Sequence, residues 1–305
     1  MRSSTDVTTG ASVVDRAMLW SDPALDGTMF LSADYRAQRF TRHFHEEYAI
    51  GIIESGCQTF FYDGARRIDM TGGTVALISP GVVHSGGPGA SEGWTYRMLY
   101  PPRHLVEAAV CDIFGASSAV PSFNSPAVVD PRLHDAVKRL HRASRGGDAN
   151  HRSGHDALEL QSRMLFVLRH AFACHAACAA PNDGALARPA LHTVRDMIAD
   201  HHGCELSLSE LARHAGLGRF QLLRQFKAVF GLPPHAYGRQ VRLARAHALI
   251  LAGATLTAAA SDAGFADQAH MTRAFHDSRG YTPGALRRSR SRNRLRERDA
   301  VDRPH

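Results

Sequence analysis

The sequence predicts an α+β protein in two parts: an N-terminal β-barrel followed by helices, and a C-terminal all-α domain holding two helix-turn-helix units. Three observations carry this. Short apolar runs between Gly-rich breaks occupy residues 43–100. Helical periodicity dominates from residue 130 onward. Within the last hundred residues, one pattern occurs twice at an offset of 48–49 residues.

Residues 1–40 show little periodicity and read as containing a frayed arm. The run Tyr48-Ala49-Ile50-Gly51-Ile52-Ile53 precedes Ser55-Gly56. Thr59-Phe60-Phe61-Tyr62 precedes Asp63-Gly64, a strong hairpin signal. Thr74 to Ile78 runs into Pro80-Gly81, and Trp94 to Tyr100 alternates bulky apolar residues with smaller or charged ones. Strands this short and this spaced fit a small barrel or sandwich. Asp130-Pro131 opens a helix, with Pro at its first position. A second helix runs from about His155 to Ala176. Its Leu158, Leu165, Leu168 and Phe172 fall near a heptad seam, with Gln161 the polar exception. Such a stripe packs either on its own barrel or on the same helix of a second chain. Ala179 to Gly184 reads as a linker.

In the C-terminal part, Leu191, Val194 and Ile198 mark a first helix. Ser207 and Glu210 form a capping-box pattern ahead of Leu208, Leu211, Ala212 and Ala215. Gly216 sits where the turn needs a positive φ. The next helix turns Leu222 and Phe226 inward and leaves Arg219, Phe220, Gln221, Leu223 and Arg224 for its outer side. In the second copy Ala263-Gly264 matches Ala215-Gly216, and Arg273-Ala274-Phe275 matches Arg224-Gln225-Phe226. Asp267 is placed to cap the second outer helix. That helix offers Gln268, Ala269, His270, Thr272 and Arg273. Between the copies a helix from about Pro234 to Leu251 carries Tyr237, Val241, Ala244 and Ala248 on one face. Its length of about 27 Å, with the width of the units, approximates the ~34 Å between successive major-groove faces of DNA. Gln, Arg and Thr suit base edges, and Phe or Ala suits a thymine methyl.

The charge is placed to match. Residues 189–305 hold eighteen Lys and Arg against ten Asp and Glu, a net +8, while the rest of the chain carries −1. A basic part joined to a neutral part suggests a polyanion partner for one of them. No apolar run approaches the ~18–20 residues of a membrane span, and the N-terminus lacks the pattern of a secretory signal. Five scattered cysteines (Cys57, Cys111, Cys174, Cys178, Cys204) fit reduced thiols in a cytoplasm.

On these residues the C-terminal part resembles the AraC family of bacterial transcription regulators. The matching stretches are Ala215-Gly216, Leu222 to Lys227, Gly231 to Pro234, Arg242 to Ala246, Ala263 to Gln268, Arg273-Ala274-Phe275 and Gly280 to Gly284. The resemblance implies a cupin-like effector-binding domain over residues 1–125, a helical dimerisation segment over 126–180 and a linker over 181–189. It implies a DNA-binding domain over 190–290 and a basic tail over 291–305. What it implies for function is a cytoplasmic, effector-responsive activator. Its partners would be double-stranded promoter DNA, a small-molecule effector, RNA polymerase and a second copy of the chain, with no membrane. In that reading Arg219, Phe220, Gln221, Leu223, Arg224, Gln268, Ala269, His270, Thr272 and Arg273 face DNA. The second unit's first helix departs from the pattern with Ala258-Ala259-Ala260, which suggests looser packing.

In the N-terminal part, His43, His45 and His84 resemble the histidines of the cupin fold. The Glu expected three or four residues past the second histidine is replaced by Ala49 or Ile50, and Glu46 and Glu47 are mis-spaced. No metal, cofactor or enzymatic activity is therefore expected. The rival reading, a metal-cupin enzyme with a DNA-binding tail, meets the same missing Glu. A ligand pocket in the barrel would draw on His43, His45, Tyr48, His84, Trp94 and Tyr96, with Phe60, Tyr62 and Met98 as further candidates. Arg97, within an apolar strand, would hold an anion or point to solvent. Cys174, His175 and Cys178 make an incomplete metal set.

Overall fold

A computed structural model describes residues 15–62, 66–114, 121–146, 154–177, 189–200 and 207–290. Its N-terminal part holds strands β1 (Arg16–Asp22), β2 (Thr28–Tyr35), β3 (Phe40–His43), β4 (Ala49–Tyr62), β5 (Arg66–Thr71), β6 (Thr74–Ile78), β7 (His84–Pro88) and β8 (Trp94–Tyr100). Helix α1 (Arg103–Phe114), strands β9 (Ser122–Phe123) and β10 (Ala127–Val129), helices α2 (Pro131–Gly146) and α3 (Gly154–His175) and strand β11 (Ala176–Ala177) follow.

One sheet layer runs in the order β1-β2-β8-β4-β6-β10. The long strand β4 shifts register against β8 between Ile53 and Ser55 and leaves this layer after Gly56. Its second half, from Cys57 to Tyr62, pairs with β5 and β7, and β7 pairs with β3. The hairpin expected at Asp63-Gly64 joins Tyr62 to its partner Arg66, although the turn lies outside the described residues.

Residues 16–43 hold three strands despite the low periodicity of residues 1–40, and residues 1–14 of the expected arm lie outside the described residues. Strand β2 lies between β1 and β8 and buries both faces, so its apolar residues Met29, Phe30 and Leu31 stand together without alternation. The same double burial explains the unbroken run at Tyr48–Ile53. Ala49 and Ile53 face the barrel interior, whereas Ile50 and Ile52 face the helices.

Helices α1, α2 and α3 cover the outer face of the first layer. Leu133, Val137 and Leu140 of α2 and Leu160, Met164, Val167, Leu168 and Phe172 of α3 share one core with Phe30, Ile50, Ile52, Val75, Leu77 and Leu99. The expected seam of α3 therefore divides. Leu168 and Phe172 are core, while Leu158 (61% exposed) and Leu165 (46%) face outward beside Phe166 (48%).

The C-terminal part is α4 (Pro189–Asp200), α5 (Leu208–His214), α6 (Arg219–Phe230), α7 (Pro234–Ala252), α8 (Leu256–Asp262) and α9 (Gln268–Arg279). A last helical stretch covers 283–290, and the basic tail expected over 291–305 lies outside the described residues. Arg290 Nη2 donates to Ala252 O (3.1 Å) and Ser289 is buried. On α7 the buried stripe is Ala236, Gln240, Leu243, Ala246, His247 and Ile250, which corrects the expected face. Ala248 is exposed, because the buried side of α7 is the one carrying polar Gln240 and His247, the latter reaching Glu47 of the barrel.

Candidate nucleic-acid interface and barrel mouth

The first helix-turn-helix unit follows its sequence signals closely. Ser207 Oγ accepts the Glu210 N–H, and the Glu210 carboxylate accepts the Ser207 N–H, a complete capping box at the start of α5. The turn passes through Gly216 at φ +62°. Helix α6 then buries Leu222 and Phe226 against Leu191, Val194, Ile198, Leu211 and Ala212. Arg219, Phe220 and Arg224 are exposed, and Gln221 and Leu223 are half-buried at the edge of the same surface. Phe220 is 87% exposed.

The second unit repeats this plan. Thr255 Oγ1 accepts the Ala258 N–H at the start of α8, and Asp267 Oδ1 accepts the His270 N–H (2.6 Å) at the start of α9. Gln268, Ala269 and Arg273 are exposed, and His270 and Thr272 are half-buried. Local bonds tie two of these residues. Thr257 Oγ1 donates to Gln268 Oε1 (3.1 Å), and Thr272 Oγ1 to Gln268 O (2.8 Å). The structure thus gathers the ten proposed reading residues on the outer sides of α6 and α9.

The alanine-rich scaffold of α8 packs tightly, which corrects the expectation of looseness. Ala259 and Ala260 are buried, and Phe265, Met271, Phe275, Tyr281 and Leu286 fill the space that small side chains leave. This core is continuous with the barrel interior, where Tyr35, Phe60, Met70, Trp94, Tyr96 and Met98 lie.

The joint between the two parts sits at the mouth of the barrel. Tyr35 Oη donates to Gly280 O (2.7 Å), Gln38 Nε2 to His276 O (3.2 Å) and Thr41 Oγ1 to Asp277 O (3.2 Å). Gly280, at φ +71°, ends α9, and a side chain there would strike the Tyr35 hydroxyl. Arg279, the last residue of α9, is buried in the mouth. Its Nη1 lies 3.4 Å from Glu47 Oε2, and His247 Nδ1 of α7 lies 3.6 Å from Glu47 Oε1. The Arg279 Nε and His247 Nε2 atoms are buried without a hydrogen-bond partner.

His43, His45 and His84 line the same place. Each donates Nδ1–H to a backbone carbonyl two residues away: Thr41 (2.7 Å), Glu47 (2.7 Å) and Val82 (2.8 Å). Burial and the nearby Arg279 charge hold all three neutral, with His43 lowered to about 3, His45 to about 4 and His84 well below the usual imidazole range. Burial would raise Glu47, but Arg279 and His247 outweigh it and hold the carboxyl at about 2. Around the histidines lie Phe60, Met70, Tyr96, Met98, Tyr100 and Arg279, which enclose a cavity of only about 50 Å³. The ring centroids of His43 and His84 are 4.2 Å apart and those of His43 and His45 6.4 Å. Among the described residues, these three do not bring their ligand atoms together as a metal site would require.

Two of the expected pocket residues stand elsewhere. Tyr48 belongs to the opposite face of the sheet, where its hydroxyl donates to Pro121 O (2.5 Å) and its ring packs on Phe123 and Phe172. Trp94 lies behind the cavity wall, against Tyr35 and Phe40. Arg97 does not point free into solvent, since it pairs with Glu54 at 2.6 Å. What sequence reasoning missed is Glu47, Arg279 and His247, whose partnership arises only once the two parts dock. A second, open crevice of about 770 Å³ is lined by the barrel residues Arg42, Phe44 and Val83 and by the end of α6 at Lys227 to Gly231.

Residues 27–168 match the family model described as the AraC-like ligand binding domain, and residues 211–289 match that of a helix-turn-helix domain. The chain is 26% identical over 234 residues to the uncharacterized HTH-type transcriptional regulator YbfI of Bacillus subtilis (strain 168), covering 77% of this chain and 82% of that one. It is 29% identical over 97 residues to the HTH-type transcriptional regulator ExsA of Pseudomonas aeruginosa, covering 32% and 35%. Its fold is similar to that of ToxT from Vibrio cholerae O395 bound to (E)-4-(8-methylnaphthalen-1-yl)but-3-enoic acid. That likeness has a TM-score of 0.52 at 11% identity, over 91% of this chain and 99% of that chain.

Proposed function

The chain belongs to the AraC family of transcription regulators, and from that premise we propose that it is an activator whose barrel occupant controls how the second recognition helix meets promoter DNA. It is a DNA-binding transcription regulator with an effector-binding domain. The observation that carries the gating proposal is the burial of Arg279. The recognition helix α9 ends inside the mouth of the ligand-binding barrel, in contact with Glu47 and beside the three neutral histidines.

A site for a small molecule usually measures about 300–1,000 Å³, whereas the barrel cavity holds about 50 Å³. An effector therefore enters only as Arg279 and its neighbours withdraw. The unpartnered Arg279 Nε and His247 Nε2 favour an effector with an anionic or hydrogen-bond-accepting group. Its entry competes with Glu47 for Arg279 and loosens the end of α9. By linkage, a ligand that binds the undocked form better shifts the population toward it.

Arg219, Phe220, Gln221, Leu223 and Arg224 of α6, and Gln268, Ala269, His270, Thr272 and Arg273 of α9, form the reading surfaces. The exposed Leu158, Leu165 and Phe166 of α3 support a homodimer through that helix. RNA polymerase and a cytoplasmic setting complete the reading. Among the described residues, no helix is long and apolar enough to cross a membrane.

The test is a promoter identified by mapping bound DNA in cells, fused to a reporter. The Glu47→Gln/Arg279→Met double variant removes the pair without leaving a lone buried charge. It is expected to raise transcription in the absence of inducer. Output equal to that of the unmodified protein, with binding to DNA intact, overturns the gating proposal.

A further inference from the structure

Away from the barrel mouth, three metal-ligating side chains converge at the junction of α2 and α3. His170 Nε2 and His175 Nε2 each lie 2.8 Å from one oxygen, Asp130 Oδ2. The ligand atoms of these three residues fall within 4.8 Å of one another, the one such group among the described residues. We propose that Asp130, His170 and His175 bind a divalent transition-metal ion, zinc being the best match to their chemistry.

Two imidazoles and one carboxylate are ligands that zinc accepts, with water completing a four-coordinate shell. The site is neither sealed nor open. Side-chain exposures of 14% for Asp130, 17% for His170 and 19% for His175 leave a path for the ion while removing most competing solvent. Each ligand is also held from behind. Asp130 Oδ1 accepts the Leu133 N–H (3.0 Å), which fixes the carboxylate at the start of α2. The His170 ring stacks on Phe166, with centroids 5.6 Å apart. His175 O accepts the Asn124 N–H (2.9 Å), and the next two residues pair with β9. Outer partners of this kind orient ligands and strengthen a metal site.

The convergence is not a product of helix spacing. Residues five apart on a regular helix point about 140° away from each other. His175 reaches the same carboxylate as His170 because the chain leaves α3 at that residue and enters β11. Without an ion, both Nε2 atoms carry hydrogen and donate to Oδ2. With an ion bound, each ring keeps its proton on Nδ1 and presents the Nε2 lone pair. The ion ties the start of α2 to the end of α3, the helix whose outer face exposes Leu158, Leu165 and Phe166.

The experiment titrates the full-length, reduced protein with Co²⁺, read by visible absorption, followed by competition with Zn²⁺. The unmodified chain is expected to bind one equivalent with a tetrahedral nitrogen–oxygen spectrum free of thiolate charge transfer. His170→Gln/His175→Gln should weaken it by roughly 100-fold or more, while His45→Gln in the barrel leaves it unchanged. Asp130→Asn, which retains an acceptor for the Leu133 N–H, provides a second arm if the double variant fails to fold. It should weaken binding at least about tenfold. Equal affinity in the unmodified and substituted chains, a thiolate band, loss of binding with His45→Gln, or no binding at micromolar Co²⁺ each overturns the proposal.

Discussion

The two helix-turn-helix units share one plan and differ in where their cores end. The first unit has a core distinct from the barrel interior: Leu222 and Phe226 pack against Leu191, Val194, Ile198, Leu211 and Ala212, and Tyr237 at its edge reaches the barrel residue Phe44. The second unit has no such boundary. Leu256, Ala259, Ala260, Phe265, Met271 and Phe275 continue into Tyr35, Trp94 and Tyr96. The alanines of α8 are part of the cause. Small residues let helices approach closely, and larger side chains from neighbouring elements finish the core. A sequence repeat thus yields two units with different dependence on the N-terminal domain. The core of one stands apart from the barrel interior, and the core of the other is one the barrel helps to build.

The largest expected effect tests that difference directly. Phe226 and Phe275 occupy equivalent positions and both are fully buried. Truncating either to Ala should cost about 3–5 kcal/mol. The spread of the damage should differ. Trp94 sits in the barrel end of the shared core, so its fluorescence in a Trp20→Phe background reports on that core. In denaturant titration, Phe275→Ala should shift the Trp94 transition strongly, and Phe226→Ala should leave it near its original midpoint. Equal shifts would erase the distinction between the units.

Acid should separate the units next. The first unit meets the barrel through Phe44, Leu232, Ala236 and Tyr237, none of which titrates near neutrality. The second meets it through Glu47, Arg279 and His247, facing His43, His45 and His84, with the phenols of Tyr100 and Tyr281 beside them. Burial, then Arg279, lowers His247 to about 4, while His43 falls to about 3 and His45 to about 4. Between pH 6.5 and those values the unfolded chain binds protons that the folded chain refuses. Stability therefore falls as pH falls, by at most about 1.4 kcal/mol per pH unit for each histidine. Glu47, held at about 2, adds stability that is complete above its ordinary range and is lost as pH drops from about 4.5 toward 2. The Trp94 transition should weaken from pH 7 to pH 5, with hydrogen exchange rising in α9 before α6. A midpoint independent of pH over that range would contradict the buried, neutral assignment.

Binding to DNA supplies a finer comparison. Arg224 on α6 and Arg273 on α9 are both exposed and equivalent in the repeat. Replacing either with Ala should lower specific promoter affinity by about 1–3 kcal/mol if it reads a base. If it touches phosphate instead, binding weakens uniformly across sequences and the salt slope falls by about 1. Isotherms at two salt concentrations, on specific and unrelated duplexes, distinguish these roles for each helix. An isotherm unchanged by Arg273→Ala on every duplex removes α9 as a reading helix.

How much of this could be read beforehand follows from the range of each signal. Caps, turns and helical stripes are local, so Ser207–Glu210, Gly216, Asp267 and the inward Leu222 and Phe226 were all visible in the residues themselves. Strand β2 was not, because its two-sided burial suppresses the alternation that marks a half-exposed strand, and the mostly exposed β1 and the four-residue β3 offer little pattern to read. The stripe of α7 is hard to read because His247 and Gln240 look like surface residues, yet both are buried and His247 meets Glu47 of the barrel. Glu47 itself stood out only as a mis-spaced metal ligand, and its partner Arg279 lies 232 residues away. Asp130 was readable as a helix start, but its bonds to His170 and His175 depend on where α3 ends. Docking contacts carry no periodicity, so nothing local in the chain announces them.

The smallest predicted effect concerns the starts of the two recognition helices. Helix α9 begins with a side-chain cap, since Asp267 accepts the His270 N–H. Helix α6 begins at Gly218, which supplies no side-chain cap. Gly218 has extended backbone angles of φ −69° and ψ 150°, and an added Cβ would meet nothing within 4 Å. Ser therefore fits without strain, gives the orphan N–H groups of α6 an acceptor and restricts the unfolded chain. Each contribution is worth a few tenths of a kcal/mol, roughly 0.5–1 together. Gly218→Ser should raise the unfolding midpoint of the first unit and leave the Trp94 transition in place, because that unit's core does not include Trp94. A midpoint that falls would mean Gly218 serves a contact that the extra side chain obstructs. A Trp94 transition that moves with it would mean the two cores are coupled after all.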